Sequence, residues 1–310
     1  MTRSYFCSRK NVMVCVFILI TIVAIAVYIP KQGVYTSKVR VYDPLIQRFP
    51  TPLVLPPCRS QLHVIMSFPL LTNDSIKTGS YSRATPKMIQ ERMTEFLTGL
   101  QRTLNHPCVH RVYFLYNQLS VMDYVKTHIW VDLDKMSFHL VENPRSHVGL
   151  FNFAYDHLQG EIAIYTPADV YLGEGFELIK KDVLAANKLI YIMSRHSRQE
   201  KHCDMRRDTT STSCTDQKYF GSHDTYVFVP KGRFPKEVRD YLSVPSQDYG
   251  VENMSIWAFG TLGNFTVTNP CKVLKVYHLH CTGLRDATRK RLNTKKDTGK
   301  VWPTDQLGIV

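Results

Sequence analysis

Residues 161–172 read Glu-Ile-Ala-Ile-Tyr-Thr-Pro-Ala-Asp-Val-Tyr-Leu, and the fold assignment turns on them. Glu161 to Thr166 is a short apolar run of strand length. Asp169 comes just after it, where open α/β sheets bind ligands, outside the carboxyl ends of the strands. A carboxylate there can hold a hard cation through oxygen, and that cation can hold a diphosphate. The plainer role for Asp169 is to cap a turn, since Pro167 and Gly173 flank it.

Working outward, strands and helices alternate. Leu62 to Phe68, Arg111 to Tyr116 and Met136 to Val141 are strands before this one, and Lys188 to Ser194 is the fifth. Thr85 and Pro86 open a helix as cap and first residue, with Met88, Met93, Phe96, Leu97 and Leu100 at helical spacing. Val121 to Ile129 and roughly Val148 to Leu158 read as two more helices. The alternation predicts an α/β fold, a mainly parallel open sheet flanked by helices. The places to look for a site are therefore just after Phe68, Tyr116, Val141, Thr166 and Ser194.

Several polar groups follow such strand ends. Ser194-Arg195-His196 puts a guanidinium at the rim, where it could grip phosphate in a bidentate manner or be a plain surface charge. A polar insertion from Ser197 to about Tyr219 reads as a pinned loop, with or without a role as lid. Asp224 lies in the strand-like run Gly221 to Pro230, and Glu252-Asn253 starts an apparently helical run to Gly260. The domain closes on Val276-Tyr277-His278-Leu279-His280-Cys281. Side chains alternate faces along a strand, so at most one of His278 and His280 should reach a given metal or phosphate. With no second histidine cluster, a nuclease or hydrolase site is not indicated.

At 310 residues, 44% hydrophobic and 21% charged, the chain can bury one sizeable core or two small ones, and wholesale disorder is excluded. Val12 to Ile29 holds eighteen residues without a charge, enough for one membrane span. Ala24-Ile25-Ala26 resembles a signal-peptide cleavage site, but the apolar run continues to Ile29, which favours an uncleaved anchor. The expected organisation is a cytoplasmic tail (1–10), an anchor (11–29), a proline-dotted stem (30–57), a lumenal domain (58–283) and a basic tail (284–310). Much of the formal charge of +13 sits in that tail, which reads as solvated and partly disordered. Its sharper reading is a contact for acidic glycans, lipid headgroups or nucleotide phosphates. Nucleic acid ranks last among partners, because the rest of the chain reads as lumenal.

Three sequons begin at Asn73, Asn253 and Asn264, all downstream of the anchor, and favour a lumenal C-terminal portion. Cys58, Cys108, Cys203, Cys214, Cys271 and Cys281 also lie there, and six cysteines suggest three bridges in an oxidising compartment. Short separations suggest Cys203–Cys214 and Cys271–Cys281, leaving Cys58–Cys108. A zinc site is disfavoured by the absence of a close Cys-x-x-Cys pair.

Taken in order, Asp169, Ser194-Arg195, Gly221 to Phe228, Glu252-Asn253, Asn269-Pro270 and His278 to His280 resemble a poorly characterised group of GT-A-like glycosyltransferases. The likeness spans roughly residues 60 to 283. It implies a nucleotide-diphospho-sugar transferase fold, Rossmann-like, behind a type II membrane anchor in the Golgi or ER. It also implies a nucleotide-sugar donor, a hydroxyl acceptor on a glycan, glycoprotein or glycolipid, and Mn2+ (or Mg2+) as cofactor. On this reading Asp169 serves the donor or metal with His278 and His280, Arg195 and His280 the phosphates, and Asp224 or Glu252 the acceptor as base. One departure is clear: many metal-dependent members carry Asp-x-Asp, where this chain has Asp169-Val170-Tyr171. Either Asp169 holds the metal with a histidine, or basic side chains carry the phosphate charge alone. The rivals are a non-catalytic lumenal binder of glycans or acidic surfaces with the same fold, and an unrelated membrane-tethered interaction domain.

Overall fold

The computed structural model describes residues 55–77, 81–131, 133–196, 213–219, 221–246, 248–292 and 297–308. All of them fall in one compact unit. The expected anchor and most of the stem lie outside these residues, as does most of the polar insertion. Among the described residues, no helix is long and apolar enough to cross a membrane.

Strand β1 (Leu62–Ser67) is apolar along nearly its whole length, as a strand covered on both faces must be. It lies between β2 (Val109–Tyr116) and β4 (Ile162–Tyr165), parallel to both, with Val64 opposite Val112 on one side and Ile164 on the other. Strand β3 (Met136–Leu140) continues the parallel set outward from β2. Beyond β4, β7 (His223–Phe228) runs antiparallel, followed by β6 (Leu189–Ser194), antiparallel to β7, and β8 (Thr266–Thr268), parallel to β6. The order is β3-β2-β1-β4-β7-β6-β8, so the expected mainly parallel sheet is present, with one reversed strand inside it.

Alternation divides the core between two faces. Val64, Met66, Val112, Phe114 and Ile164 pack on one side with helix α1 (Pro86–Asn105) through Ile89, Met93, Phe96, Leu97 and Leu100. Ile65, Leu115, Ala163, Ile190 and Phe228 face the other way, against helix α3 (His147–His157) with Leu150, Phe151 and Ala154. Between these helices in sequence, α2 (Leu119–His128) links β2 to β3. As expected, Thr85 caps α1: its hydroxyl accepts from Met88 N at 3.3 Å, and Pro86 occupies the first turn. Three later helices are α4 (Lys181–Ala186), α5 (Lys236–Tyr241) and α6 (Val251–Trp257), and a single helical turn, Asn73–Lys77, precedes α1.

A small ribbon of β5 (Val170–Leu172) and β9 (Val276–His278) pairs Val170 with His278. It returns the end of the domain to the loop after β4.

Two sequence expectations need correction. The disulfides are Cys58–Cys108, as expected, and Cys214–Cys271, in place of Cys203–Cys214 and Cys271–Cys281. Cys281 is disulfide-bonded as well. Proximity in sequence misled here because both Cys214 and Cys271 are held at the end of β6. Ser213 N donates to Arg195 O at 3.0 Å, and Asn269 Oδ1 accepts from Ser194 N at 3.0 Å.

The described residues after Gly283 are held against the domain rather than trailing, while many of their side chains stay exposed to solvent. Leu284 is buried, Tyr249 N donates to Lys290 O at 2.8 Å, and Leu292 N donates to Tyr249 O at 3.0 Å. Leu292, Val301 and Leu307 pack against the core, so apolar residues scattered among the charges hold the segment down.

Candidate functional site

The chain builds β1, β2 and β3 outward in one direction, then returns to the other side of β1 to place β4. That reversal leaves a crevice at the carboxyl ends of β1 and β4. A cleft of about 280 Å3 opens there, lined by Ser67 and Pro69 from the β1 side and Pro167 to Asp169 from the β4 side. Arg195, just past the end of β6, reaches it too. Because β7 is antiparallel to β4, its first residues rather than its last come to this rim, and they bring Asp224. The first turn of α6 adds Glu252, and the chain after β5/β9 adds His278 and His280.

Asp169 is the best-anchored of these groups. Its carbonyl accepts from Leu279 N at 2.7 Å, and its Oδ2 meets Arg92 of α1 and His278 Nε2, the latter at 3.2 Å. Burial would raise the Asp169 carboxyl, but Arg92 and His278 beside it hold it well below the usual carboxylate range. A carboxylate in this setting stays ionised at any physiological pH. The turn-cap role is therefore not its main one: the side chain makes an ion pair across the fold.

Arg92 is itself gripped, pairing with Glu95 one turn on and donating to Leu279 O at 2.9 Å. Glu95 accepts in turn from Thr282 N at 2.7 Å. Helix α1 comes this close because residue 99 is glycine: a Cβ there would lie 2.3 Å from Ala168 O.

Asp169, His278 and His280 each offer a ligand atom, all within 4.8 Å of one another. The alternation expectation for the two histidines fails because β9 ends at His278, and the chain then turns so that both rings face the same carboxylate, 5.2 Å apart. His280 Nε2 donates to Leu284 O at 3.1 Å, which leaves Nδ1 as its lone pair for a ligand. Two imidazoles and one carboxylate suit a transition ion better than Mg2+, which prefers oxygen; imidazole favours ions such as Zn2+ or Fe2+, and Mn2+ would accept the mixed set. Arg92 already pairs with Oδ2 of Asp169.

The opposite wall carries the second pair of carboxylates. Arg195 lies 3.3 Å from Asp224 Oδ2, and this buried oxygen has no directed hydrogen bond among the described residues. Glu252 is pushed up to about 7, first by burial and then by the Asp224 charge. It can therefore take up or release a proton near neutrality.

The six residues singled out from sequence, Asp169, Arg195, Asp224, Glu252, His278 and His280, all line this one cleft. Sequence reasoning missed Arg92 and Glu95, which read as ordinary polar positions on an amphipathic helix, and missed Arg145; Arg285 and Arg289 were noted in the basic run but not placed at this cleft. Of the sequons, Asn73 and Asn264 are exposed. Asn253 is half-buried, with its Oδ1 accepting from the Tyr219 hydroxyl at 3.1 Å.

No family model matches the chain, and no curated protein matches it. Solved structures similar to it include HddC from Yersinia pseudotuberculosis, at 14% identity and TM-score 0.34 over 70% of this chain and 93% of that one. Mannose-6-phosphate isomerase from Helicobacter pylori matches at 11% identity and TM-score 0.34, over 77% and 93%. Inositol-1-phosphate CTP transferase from T. maritima matches at 11% and 0.30, over 59% and 74%. These scores are low, and the functional reading rests on the cleft alone.

Proposed function

We propose that this chain is a GT-A-like glycosyltransferase that moves a sugar from a nucleotide diphosphate to a hydroxyl acceptor on a glycan, protein or lipid. One observation carries the reading. The crevice at the strand reversal gathers an ionised carboxylate with two imidazoles on one side, and a guanidinium with a carboxyl tuned near neutrality on the other.

Transfer breaks the bond between the sugar's anomeric carbon and the diphosphate oxygen, and forms one to the acceptor oxygen. The acceptor hydroxyl gives its proton to a base, and the diphosphate leaves with the bonding electrons. Glu252 is the base on this reading, because its proton affinity matches the working pH. Asp224 keeps that affinity high and holds Arg195 at the rim, where the guanidinium meets charge on the departing phosphate. His280, whose Nε2–H is given to Leu284 O, would act on the same phosphates through the ion it helps to hold. Asp169, His278 and His280 would hold Mn2+ (or Mg2+), which when bound neutralises diphosphate charge. Arg92 fixes the Asp169 carboxylate in place and is a positioning residue.

The setting inferred with this activity is a single-pass type II protein of the Golgi or ER membrane, its C-terminal domain lumenal. The two disulfides among the described residues fit an oxidising compartment. Release of free nucleoside diphosphate from a panel of nucleotide sugars, with and without candidate acceptors, tests the reading. Turnover with one donor supports it. Selective nucleotide binding without turnover leaves the non-catalytic binder of the same fold, and no nucleotide binding at all favours an interaction domain.

A further inference from the structure

The charges of the inner cleft are largely matched: Arg92 by Asp169 and Glu95, Arg195 by Asp224. The mouth is different. Arg145, just before α3, and Arg285 and Arg289, from the segment laid over the domain, also line the cleft, and the one carboxylate that joins them is Asp286. Arg145 and Arg285 are exposed, and neither has a carboxylate within ion-pair distance among the described residues. Arg289 stacks over Tyr249, itself a lining residue, with 4.2 Å from guanidinium to ring centre. Tyr81 completes the group.

The segment that carries two of these arginines is fixed rather than trailing. Leu284 is buried at one end, and Lys290 N donates to Asp248 Oδ1 at 3.1 Å near the other. The charge around Tyr81 reports how the groups converge. Burial and Asp286 push its hydroxyl up, while Arg145, Arg92 and Arg289 act together against them.

We propose that Arg145, Arg285 and Arg289, with Tyr81 and Tyr249, form an anion site at the mouth of the cleft that binds the carboxylate or sulfate of an acidic glycan acceptor. This rests on the transferase reading and names its acceptor class. Two features assign the site to the acceptor rather than the donor. Arg195 and the Asp169, His278 and His280 cluster, which would hold a metal, already serve a diphosphate and are less exposed than Arg145 and Arg285. The mouth arginines are on the solvent side, where a large second substrate must enter. Planar guanidiniums suit carboxylate and sulfate oxygens, and the aromatic faces beside them suit the apolar face of a sugar ring.

The test uses the full chain, a sulfated glycosaminoglycan tetrasaccharide, its desulfated and carboxyl-reduced (uncharged) counterpart and a panel of nucleoside diphosphates, each titrated calorimetrically at physiological salt. Arg145→Ala/Arg285→Ala is compared with Lys87→Ala/Lys231→Ala, which removes the same charge from exposed positions outside the lining. The expected result is tighter binding of the sulfated than the uncharged tetrasaccharide by the parent. The arginine pair should lose affinity for it about tenfold or more, and the lysine pair should not. Nucleotide affinity should stay within about twofold in both. Equal binding of the two tetrasaccharides, or an equal loss in the lysine pair, would overturn the site. Loss of nucleotide rather than tetrasaccharide affinity would assign these arginines to the donor and overturn the acceptor assignment. If no nucleotide binds at all, the transferase reading fails, while the tetrasaccharide titrations still decide whether an anion site exists.

Discussion

Glu252→Gln should make the protein more stable and less active, and the gain should depend on pH. In the folded chain the Glu252 carboxyl is raised from 4.5 to about 7, by burial and by Asp224. Between those two values the folded state keeps a proton that the unfolded chain has released. Folding therefore loses stability as pH rises through this window, and loses nothing below it. At about 1.4 kcal/mol per tenfold change in proton affinity, the wild-type side chain costs about 3 kcal/mol at pH 8 and under about 1 kcal/mol at pH 5. Glutamine fills the same volume without charge, so Glu252→Gln should recover that difference. For a domain of this size the gain is about 6–12 °C in Tm at pH 8 and about 2–3 °C at pH 5. Glutamine cannot accept a proton, so transfer should fall by about a hundredfold or more. Thermal unfolding of parent and variant at both pH values is the assay. A variant that is less stable at pH 8, or shifted equally at both pH values, would refute the reasoning.

Three further outcomes follow from the geometry. Asp169→Asn removes one of the two carboxylates paired with buried Arg92 and leaves Glu95, so it should lower unfolding free energy by about 1–3 kcal/mol in urea titrations and weaken nucleotide binding about tenfold or more; a variant matching the parent in both would remove Asp169 from the site. Peptide mapping without reduction should recover Cys58–Cys108 and Cys214–Cys271 and should find Cys281 bridged; a free thiol at Cys281, or a Cys271–Cys281 link, contradicts the structure. Mass spectrometry should find glycans at Asn73 and Asn264 but not at half-buried Asn253, whose Nδ2 is packed so closely on Gly221 that a Cβ there would lie 2.9 Å away; a fully occupied Asn253 would contradict the packing.

The sheet was largely legible because its strands are continuous apolar runs, and a buried parallel strand such as Leu62–Ser67 has no other way to be written. Strand ends are legible for the same reason, and with them Asp169 and Arg195. What sequence patterning does not carry is partner choice across long separations. The reversed direction of β7, which alone brings Asp224 to the rim, leaves no mark in the run His223–Phe228. Arg92 and Glu95 sit three residues apart on α1, a spacing that usually means a solvent-facing pair. Their burial shows only once Leu279, 187 residues away, is placed beside them. Six cysteines permit fifteen pairings; the two bridges that spacing chose are not formed, and the pair it left over, Cys58–Cys108, is. The basic run showed its charge but not its place: Leu284, Leu292 and Val301 are too sparse to signal packing, yet they hold the segment so that Arg285 and Arg289 line the cleft.

The most direct measurement is thermal unfolding of the protein with each nucleoside diphosphate in turn, with Mn2+ and again with chelator. A ligand at one hundred times its Kd stabilises the folded state by about 2.7 kcal/mol, about 5–10 °C for a domain of this size. The account predicts that one nucleoside diphosphate raises Tm by that order, that Mn2+ increases the shift, and that Asp169→Asn removes the Mn2+-dependent part. A Tm unmoved by every nucleoside diphosphate, with or without the metal, would contradict it.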